Sequence, residues 1–314
     1  MPSRFLQELA RRTLVFDGAM GTSIYRKNLS LEHDYCGCEN CTDILVKTRP
    51  DVIQEIHESF LAVGADAVET DTFGASKLVL GEFDLTPECY ALNKKAAEVA
   101  RAACDRHSTK DKPRFVLGSM GPGTKLVTLG NTTWDIMFDS YREQALGLID
   151  GGTDTFLIET CQDLLQVKCA INAVLAALEA RGKTPLDIPI MVSVTIETTG
   201  TMLLGTEIAA AAHALAQYPI CSLGLNCATG PTEMGEHVHW LGRHFSFCCR
   251  AFCRLPARWR WRGSLRVITI ALEFERTQFT QLLDAADPEI VQGKRMIEPG
   301  QVKNDINANP QLFR

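Results

Sequence analysis

Three acidic residues recur at one kind of place in this chain. Asp17 in DGAMGT, Glu69 in ETDTFG and Glu159 in IETCQD each close a short apolar run. Brought to one mouth, three carboxylates make a cation-binding pocket. They suit an ammonium group through charge-assisted hydrogen bonds, a hard metal such as Mg²⁺, or acid and base roles. Behind Asp17, Gly18 and Gly21 give a turn in which bare backbone can approach a ligand. Ser119, with Gly121 and Gly123 in GSMGPG, adds a small polar side chain and free amides on which an anion such as a substrate carboxylate can rest.

The stretch GLNCATGP, residues 224–231, puts the thiol of Cys227 between an apolar run and a Gly-Pro turn, with Asn226 beside it. Metal ligand, nucleophile and plain packing are all open to such a cysteine. Cys36, Cys38 and Cys41 in CGCENC lack a second C-x-x-C pair, so an inert cysteine-rich loop is expected ahead of a metal site. His237 and His239 stand two apart, do not share a helix face, and read as surface histidines. Met20 and Met120 either line the apolar part of the mouth or simply pack.

The elements that must position these residues alternate regularly. Apolar runs at 13–21, 65–74, 114–122, 154–163, 188–197 and 220–231 each start with strand-forming residues and end in Gly, Asp, Glu, Thr or Asn. Helical patterns lie between them at 49–64, 87–104, 134–152, 164–182 and 206–217. Pro50 and Pro87 suit first-turn positions, and Gly64 and Gly182 suit C-terminal caps. Six such units predict a parallel sheet, and a repeat of this length predicts a (β/α)₈ barrel of the TIM type. A doubly wound open sheet is the rival, but no G-x-G-x-x-G follows the first run. The polar and glycine-rich residues cluster at strand ends, the face on which barrels place their sites.

With 314 residues, 46% of them hydrophobic, the chain can bury a sizeable core. A formal charge of −6 gives no electrostatic case for nucleic acid or an anionic membrane, and no apolar run reaches the length of a span. The opening MPSRFLQELARRTLVF reads as an amphipathic helix leading into a strand, not a secretion signal, so a cytoplasmic location with reduced thiols is expected.

Taken in order and spacing, DGAMGT, ETDTFG, GSMGP, the Glu-Thr of IETCQD and GLNCATGP resemble the homocysteine S-methyltransferase family, most of all the homocysteine-binding barrel of its cobalamin-dependent members. The resemblance covers roughly residues 10–244. It implies a (β/α)₈ barrel that holds Zn²⁺ through three cysteine thiolates and binds homocysteine through its sulfur. Cys227 would be the first zinc ligand and the catalytic cysteine. Asp17, Glu69 and Glu159 would hold the ammonium end, with Gly18, Ala19, Met20, Thr70, Ser119 and Asn226 completing the substrate site. The implied reaction moves a methyl group onto the homocysteine thiol, forming methionine. Methylcobalamin in a folate-fed system is the implied donor, presented by a cobalamin-carrying module as partner.

The chain departs from the family after residue 244. The family's adjacent zinc-binding cysteines are flanked by glycines, and no such motif is present. Residues 245–266 carry six arginines, three cysteines and two tryptophans without an acidic residue. Cys248 and Cys249 are the remaining metal candidates. Two domains are therefore expected: a barrel over 1–244 with six recognisable units, and an atypical segment over 245–314 in which the seventh and eighth units are aberrant or incomplete. A shifted or foreign reading frame from about residue 245 accounts for both oddities. The alternative function is a catalytically silent barrel fragment that at most binds an amino acid.

Overall fold

The computed structural model describes residues 1–18 and 20–244. The expectations for Ala19, Cys248 and Cys249, and for the seventh and eighth units, lie outside the described residues.

Five strands form one parallel sheet: β1 (Ala67–Glu69), β2 (Phe115–Met120), β3 (Thr155–Cys161), β4 (Ile190–Val194) and β5 (Ile220–Leu225). Their spatial order is their chain order, β1-β2-β3-β4-β5. A doubly wound sheet reverses its strand order at a switch point, and no reversal occurs among the described strands. The helices are α1 (Arg4–Arg11), α2 (Met20–Tyr25), α3 (Leu45–Thr48), α4 (Pro50–Val63), α5 (Lys77–Leu80), α6 (Cys89–His107), α7 (Trp134–Gly151), α8 (Leu164–Ala180), α9 (Ile208–Leu215) and α10 (Pro231–His244). The five long patterns read from sequence thus form α4, α6, α7, α8 and α9.

One expected strand is corrected. The run 13–21 makes only a single parallel bridge, Phe16 to Ala67. The Val15 carbonyl accepts from the Asp66 and Ala67 amides, and the Asp17 amide donates to Ala67. The next sheet amide, that of Glu69, then donates to the Asp17 side chain at 2.8 Å. A carboxylate has taken the place of a backbone carbonyl, so the ladder ends and a side chain is fixed at the sheet's end.

Helix ends follow local chemistry. Pro50 opens α4, where its missing N–H costs nothing, and Gly64 closes it at φ 119. Thr133 caps α7 by accepting from Ile136, and Asp163 caps α8 by accepting from Gln166. Pro87 is a small correction: it sits in a 3₁₀ turn, Thr86–Glu88, ahead of α6.

Both sheet faces are covered. On one, Phe156, Ile158, Val192, Val194 and Leu223 pack with residues of α7, α8 and α9. On the other, Ala67, Phe115, Leu117, Leu157 and Met191 meet Phe5 and Leu9 of α1. Ser3 caps α1, and Phe5 stands edge-on to Phe115 with ring centroids 5.3 Å apart. Phe5 is fully buried, so Phe5→Ala would cost about 3–5 kcal/mol. Strand alternation carries this α1-facing side onward to Glu69, Ser119, Glu159 and Ser193. One face is thus apolar at the N-terminal ends of the strands and polar at their C-terminal ends.

Candidate functional site

Two bulges complete the polar end of that face. Between β4 and β5, Ile190 pairs with Ile220 but Met191 pairs with Ser222, one residue further on. A one-residue slip exchanges the faces of everything beyond it. Leu223 and Leu225 therefore enter the helix-facing core, and Asn226 turns to the α1-facing side. Between β3 and β4 the register shifts between Ile158 and Cys161, with Thr160 at φ 56. Glu159 stays on the α1-facing side while Cys161 turns into the core. For a β-branched residue that backbone conformation is costly, on the order of 1–3 kcal/mol.

Asn226 holds the strained turn. Its Oδ1 accepts from the Thr160 amide at 3.1 Å and from Ser193 Oγ at 2.7 Å. Its Nδ2 donates to Thr160 Oγ1 at 2.8 Å, to Glu159 Oε2 at 3.3 Å and to Cys227 Sγ at 3.7 Å. Glu159 Oε1 accepts from Ser119 Oγ at 2.5 Å. Thr70 and Thr72 brace Ser119 from the neighbouring loop: the Ser119 amide donates to Thr70 Oγ1, and Thr72 Oγ1 donates to the Ser119 carbonyl.

The Asp17 carboxylate accepts from the Glu69 amide, and Glu159 stands at the end of β3 on the same face. Burial raises all three carboxyls above their usual range. Glu69 is raised further by the charges of Glu159, Asp17 and Cys227. For Glu159 burial and Asp17 outweigh the hydrogen bonds from Ser119, Thr160 and Asn226, and its carboxyl is pushed up to about 7. Glu69 Oε1 is buried without a hydrogen-bond partner. Among the described residues no lysine or arginine forms an ion pair with these three acids. His57 on α4 has its Nδ1 3.9 Å from Asp17 Oδ2. Buried carboxylates lacking a cation either keep a proton or take a positive ligand.

Cys227 follows Asn226 with an exposed thiol. Cys227 and Ala228 both adopt left-handed backbone, φ 57 and 59, so the chain turns sharply at the strand end and presents the sulfur beside the acids. Among the described residues no group of three or more His, Cys, Asp or Glu side chains is placed to hold a metal. Thiolate chemistry at Cys227 fits one position of a zinc site, but three or four donors are needed and the described residues do not supply them.

The other expected site residues separate. Gly18 and Met20 are half-buried beside Asp17, Met20 packing against the core under α4. Thr70 is buried, its hydroxyl engaged with Thr72 and Ser119. Met120 is fully buried on the helix-facing side, so of its two expected roles the structure favours packing. The free-amide expectation is corrected at Gly121: its amide donates to the Phe73 carbonyl, and a Cβ there would lie 2.5 Å from that oxygen. Cys36 is exposed, Cys38 half-buried and Cys41 buried, with burial pushing the Cys41 thiol up to about 12. His237 and His239 lie half-buried on α10.

Sequence reasoning missed His57, Thr160 and Ser193. His57 had a faint signal, a polar residue on the apolar stripe of Ile53, Ile56 and Phe60. Thr160 had none, since nothing in its type announces a left-handed turn.

Parallel strands wound in one direction, with polar groups gathered at their C-terminal ends, define an α/β protein with a strand-end site. The sequence profile described as Homocysteine S-methyltransferase matches residues 14–268, and the chain belongs to that family. It is 48% identical over 239 residues to the methionine synthases of Mycobacterium tuberculosis and Mycobacterium leprae. That match covers 76% of this chain and 20% of each relative, so the chain spans about a fifth of the length of these curated relatives. Among solved structures it is similar to the metallated form of the homocysteine methyltransferase MmuM from Escherichia coli. There the TM-score is 0.59 and the identity 23%, with 76% of this chain and 83% of that one covered. The apo form of the same enzyme gives a TM-score of 0.55 at 24% identity, covering 76% of this chain and 81% of that one. These likenesses carry the fold alone.

Proposed function

We propose that this chain binds homocysteine by its amino-acid end and presents its thiol to a methyl donor, so that methionine is formed. The observation that carries this reading is the convergence of Asp17, Glu69 and Glu159 beside Cys227 with no lysine or arginine paired to them among the described residues. Such a set is unsatisfied alone and satisfied by an ammonium group. In the bound state Asp17, Glu69 and Glu159 accept from that ammonium, while Ser119 and Asn226 hold the Glu159 carboxylate in place. Strands wound in one direction support the barrel form of the fold, with 1–244 as its recognisable part.

Cys227 is proposed as the first ligand of a zinc ion, and Cys248 and Cys249 remain the candidates for the others. Zinc, when bound, makes a coordinated thiol deprotonated and nucleophilic at neutral pH. Methylcobalamin is the proposed donor, delivered by a separate cobalamin-carrying partner. Exposed apolar side chains in the loops after β1, β2 and β4, namely Phe73, Leu129 and Leu203, favour a partner at this end.

A second reading has its own observation: among the described residues Cys227 has no further cysteine, histidine or acid grouped with it to hold a metal, which is too few donors for a zinc site. On that reading the chain binds the amino acid and transfers nothing. Elemental analysis after purification in zinc separates the two. About one zinc per chain, lost in Cys227→Ser, supports the methyltransferase. Homocysteine binding without zinc, and without methyl transfer from methylcobalamin, supports the silent form. Zinc retained undiminished in Cys227→Ser contradicts the assignment of Cys227.

A further inference from the structure

His57 is the one polar residue among those that α4 buries, the others being Val52, Ile53, Ile56, Phe60 and Leu61. Its imidazole is 0% exposed. Among the described residues neither ring nitrogen has a hydrogen-bond partner. A buried polar group left unpaired costs about 1–3 kcal/mol, and an apolar residue at this place on the stripe would avoid that cost. Packing therefore does not account for a histidine here.

What the imidazole faces is Asp17. Nδ1 stands 3.9 Å from Asp17 Oδ2, too far for a hydrogen bond and close enough for a charge to act. The other oxygen of that carboxylate, Oδ1, accepts from the Glu69 amide at 2.8 Å. Burial raises the Asp17 carboxyl, and His57 and the Glu69 amide act against that. The neighbouring acids do the opposite: Glu69 and Glu159, raised by burial first, are raised also by the Asp17 charge. The two tautomers of the ring differ at this place. With its hydrogen on Nδ1, His57 turns a donor to the carboxylate and leaves an acceptor, Nε2, unpaired. With the hydrogen on Nε2, a lone pair opposes the carboxylate and a buried N–H is stranded. The first arrangement is the favourable one.

We infer that His57 is the positioning residue of Asp17: its Nδ1–H is directed at Oδ2 and, with the Glu69 amide on Oδ1, fixes the orientation in which the carboxylate meets an ammonium group. The benefit to a ligand rests on the proposed homocysteine site, whereas the direction of Nδ1–H toward Asp17 does not. A donor carried on α4 is held rigidly, since Ile53, Ile56 and Phe60 anchor that helix in the core. The 3.9 Å separation leaves the pair open in the free chain, and closure to a hydrogen bond is expected when a ligand keeps Asp17 ionised.

Nitrogen NMR of the full chain, isotope-labelled in its histidines and with the His57 signals assigned by their loss in His57→Asn, reads the tautomer without any ligand. A hydrogen on Nδ1, with a resonance that moves in Asp17→Ala, is expected. A bare Nδ1, or a resonance indifferent to Asp17→Ala, overturns the pairing. Titration calorimetry with L-homocysteine reads the positioning. His57→Leu, which fills the place without a donor, should melt no lower than the parent yet bind on the order of tenfold more weakly, the worth of one hydrogen bond to a charged group. His57→Asn, whose side-chain amide can put an N–H where Nδ1 stood, should recover affinity to within about threefold of the parent. Equal weakening in the two variants would mark a packing role and overturn the inference, as would undiminished affinity in His57→Leu. Should the parent bind no homocysteine, the proposed function fails while the NMR result still decides the pairing. If His57→Leu does not fold, His57→Phe takes its place, and the Asp17→Ala resonance decides the pairing in either case.

Discussion

The two ends of the sheet treat buried acids in opposite ways. At the N-terminal ends of the strands, Asp66 accepts from Arg12 Nη1 and Nη2 at 2.8 and 3.0 Å, with Arg114 Nη1 at 3.9 Å. Asp154 meets Arg101 at 2.7 Å. Both carboxylates also accept backbone amides, Val15 for Asp66 and Val116 for Asp154. At the C-terminal ends, Asp17, Glu69 and Glu159 sit together with no arginine or lysine paired among the described residues. The same residue types thus make a closed structural network at one end and an open one at the other. The charges are matched at one end, and at the other the acids have no lysine or arginine paired with them among the described residues.

The contrast is broken most directly by removing an acid from each end. Asp66→Ala takes from Arg12 a two-pronged carboxylate, leaving it Glu8 at 3.3 Å, and from the Val15 amide its acceptor. The expected loss is about 2–3 kcal/mol, read by denaturant unfolding, because charge-assisted hydrogen bonds and a backbone hydrogen bond are lost together. A neutral outcome would mean that the two ends are not different. Glu69→Gln should do the reverse: no loss of stability, or a gain of about 1 kcal/mol, since it removes repulsion from Glu159 and Asp17. A clear destabilisation would show that the Glu69 charge is structurally matched after all.

The pH dependence sharpens the same contrast. Glu159 is raised to about 7 from the usual 4.5, so its contribution to stability is present below 4.5 and declines as pH rises through about 7. Over that window Glu159→Gln should flatten the melting profile, whereas a parent profile already flat from 4.5 to 7 would remove the basis for the shift. The smallest expected effect is at Thr160→Gly. Relief of the left-handed backbone, roughly 1 kcal/mol, is offset by loss of the Asn226 to Thr160 Oγ1 hydrogen bond. Net stability should stay within about 0.5 kcal/mol. A large change either way would mean that the bulge is not the balance described.

The alternation of apolar runs and helical patterns made the helices and the parallel order legible, and the acids at run ends were legible as candidate site residues. The bulges were not. Asn226 reaches the face of Glu159 only because the register slips at Cys221–Ser222, and Cys161 leaves that face through the slip at Thr160; neither slip has a glycine or proline to mark it. The end of the first run was also hidden, since a side-chain carboxylate replacing a backbone acceptor looks in sequence like an ordinary strand-end aspartate. The arginines of the lower network, Arg12, Arg101 and Arg114, are scattered over a hundred residues and become one feature only when the strands align.

The central claim is that the open carboxylates at Asp17, Glu69 and Glu159 are completed by the ammonium group of homocysteine. Titration calorimetry of L-homocysteine against the parent chain and Glu159→Gln tests it most directly. The account predicts binding that strengthens as pH rises through about 7 in the parent and weakens on the order of 10- to 100-fold in Glu159→Gln, with folding intact. Equal affinity in the two proteins at neutral pH would contradict it.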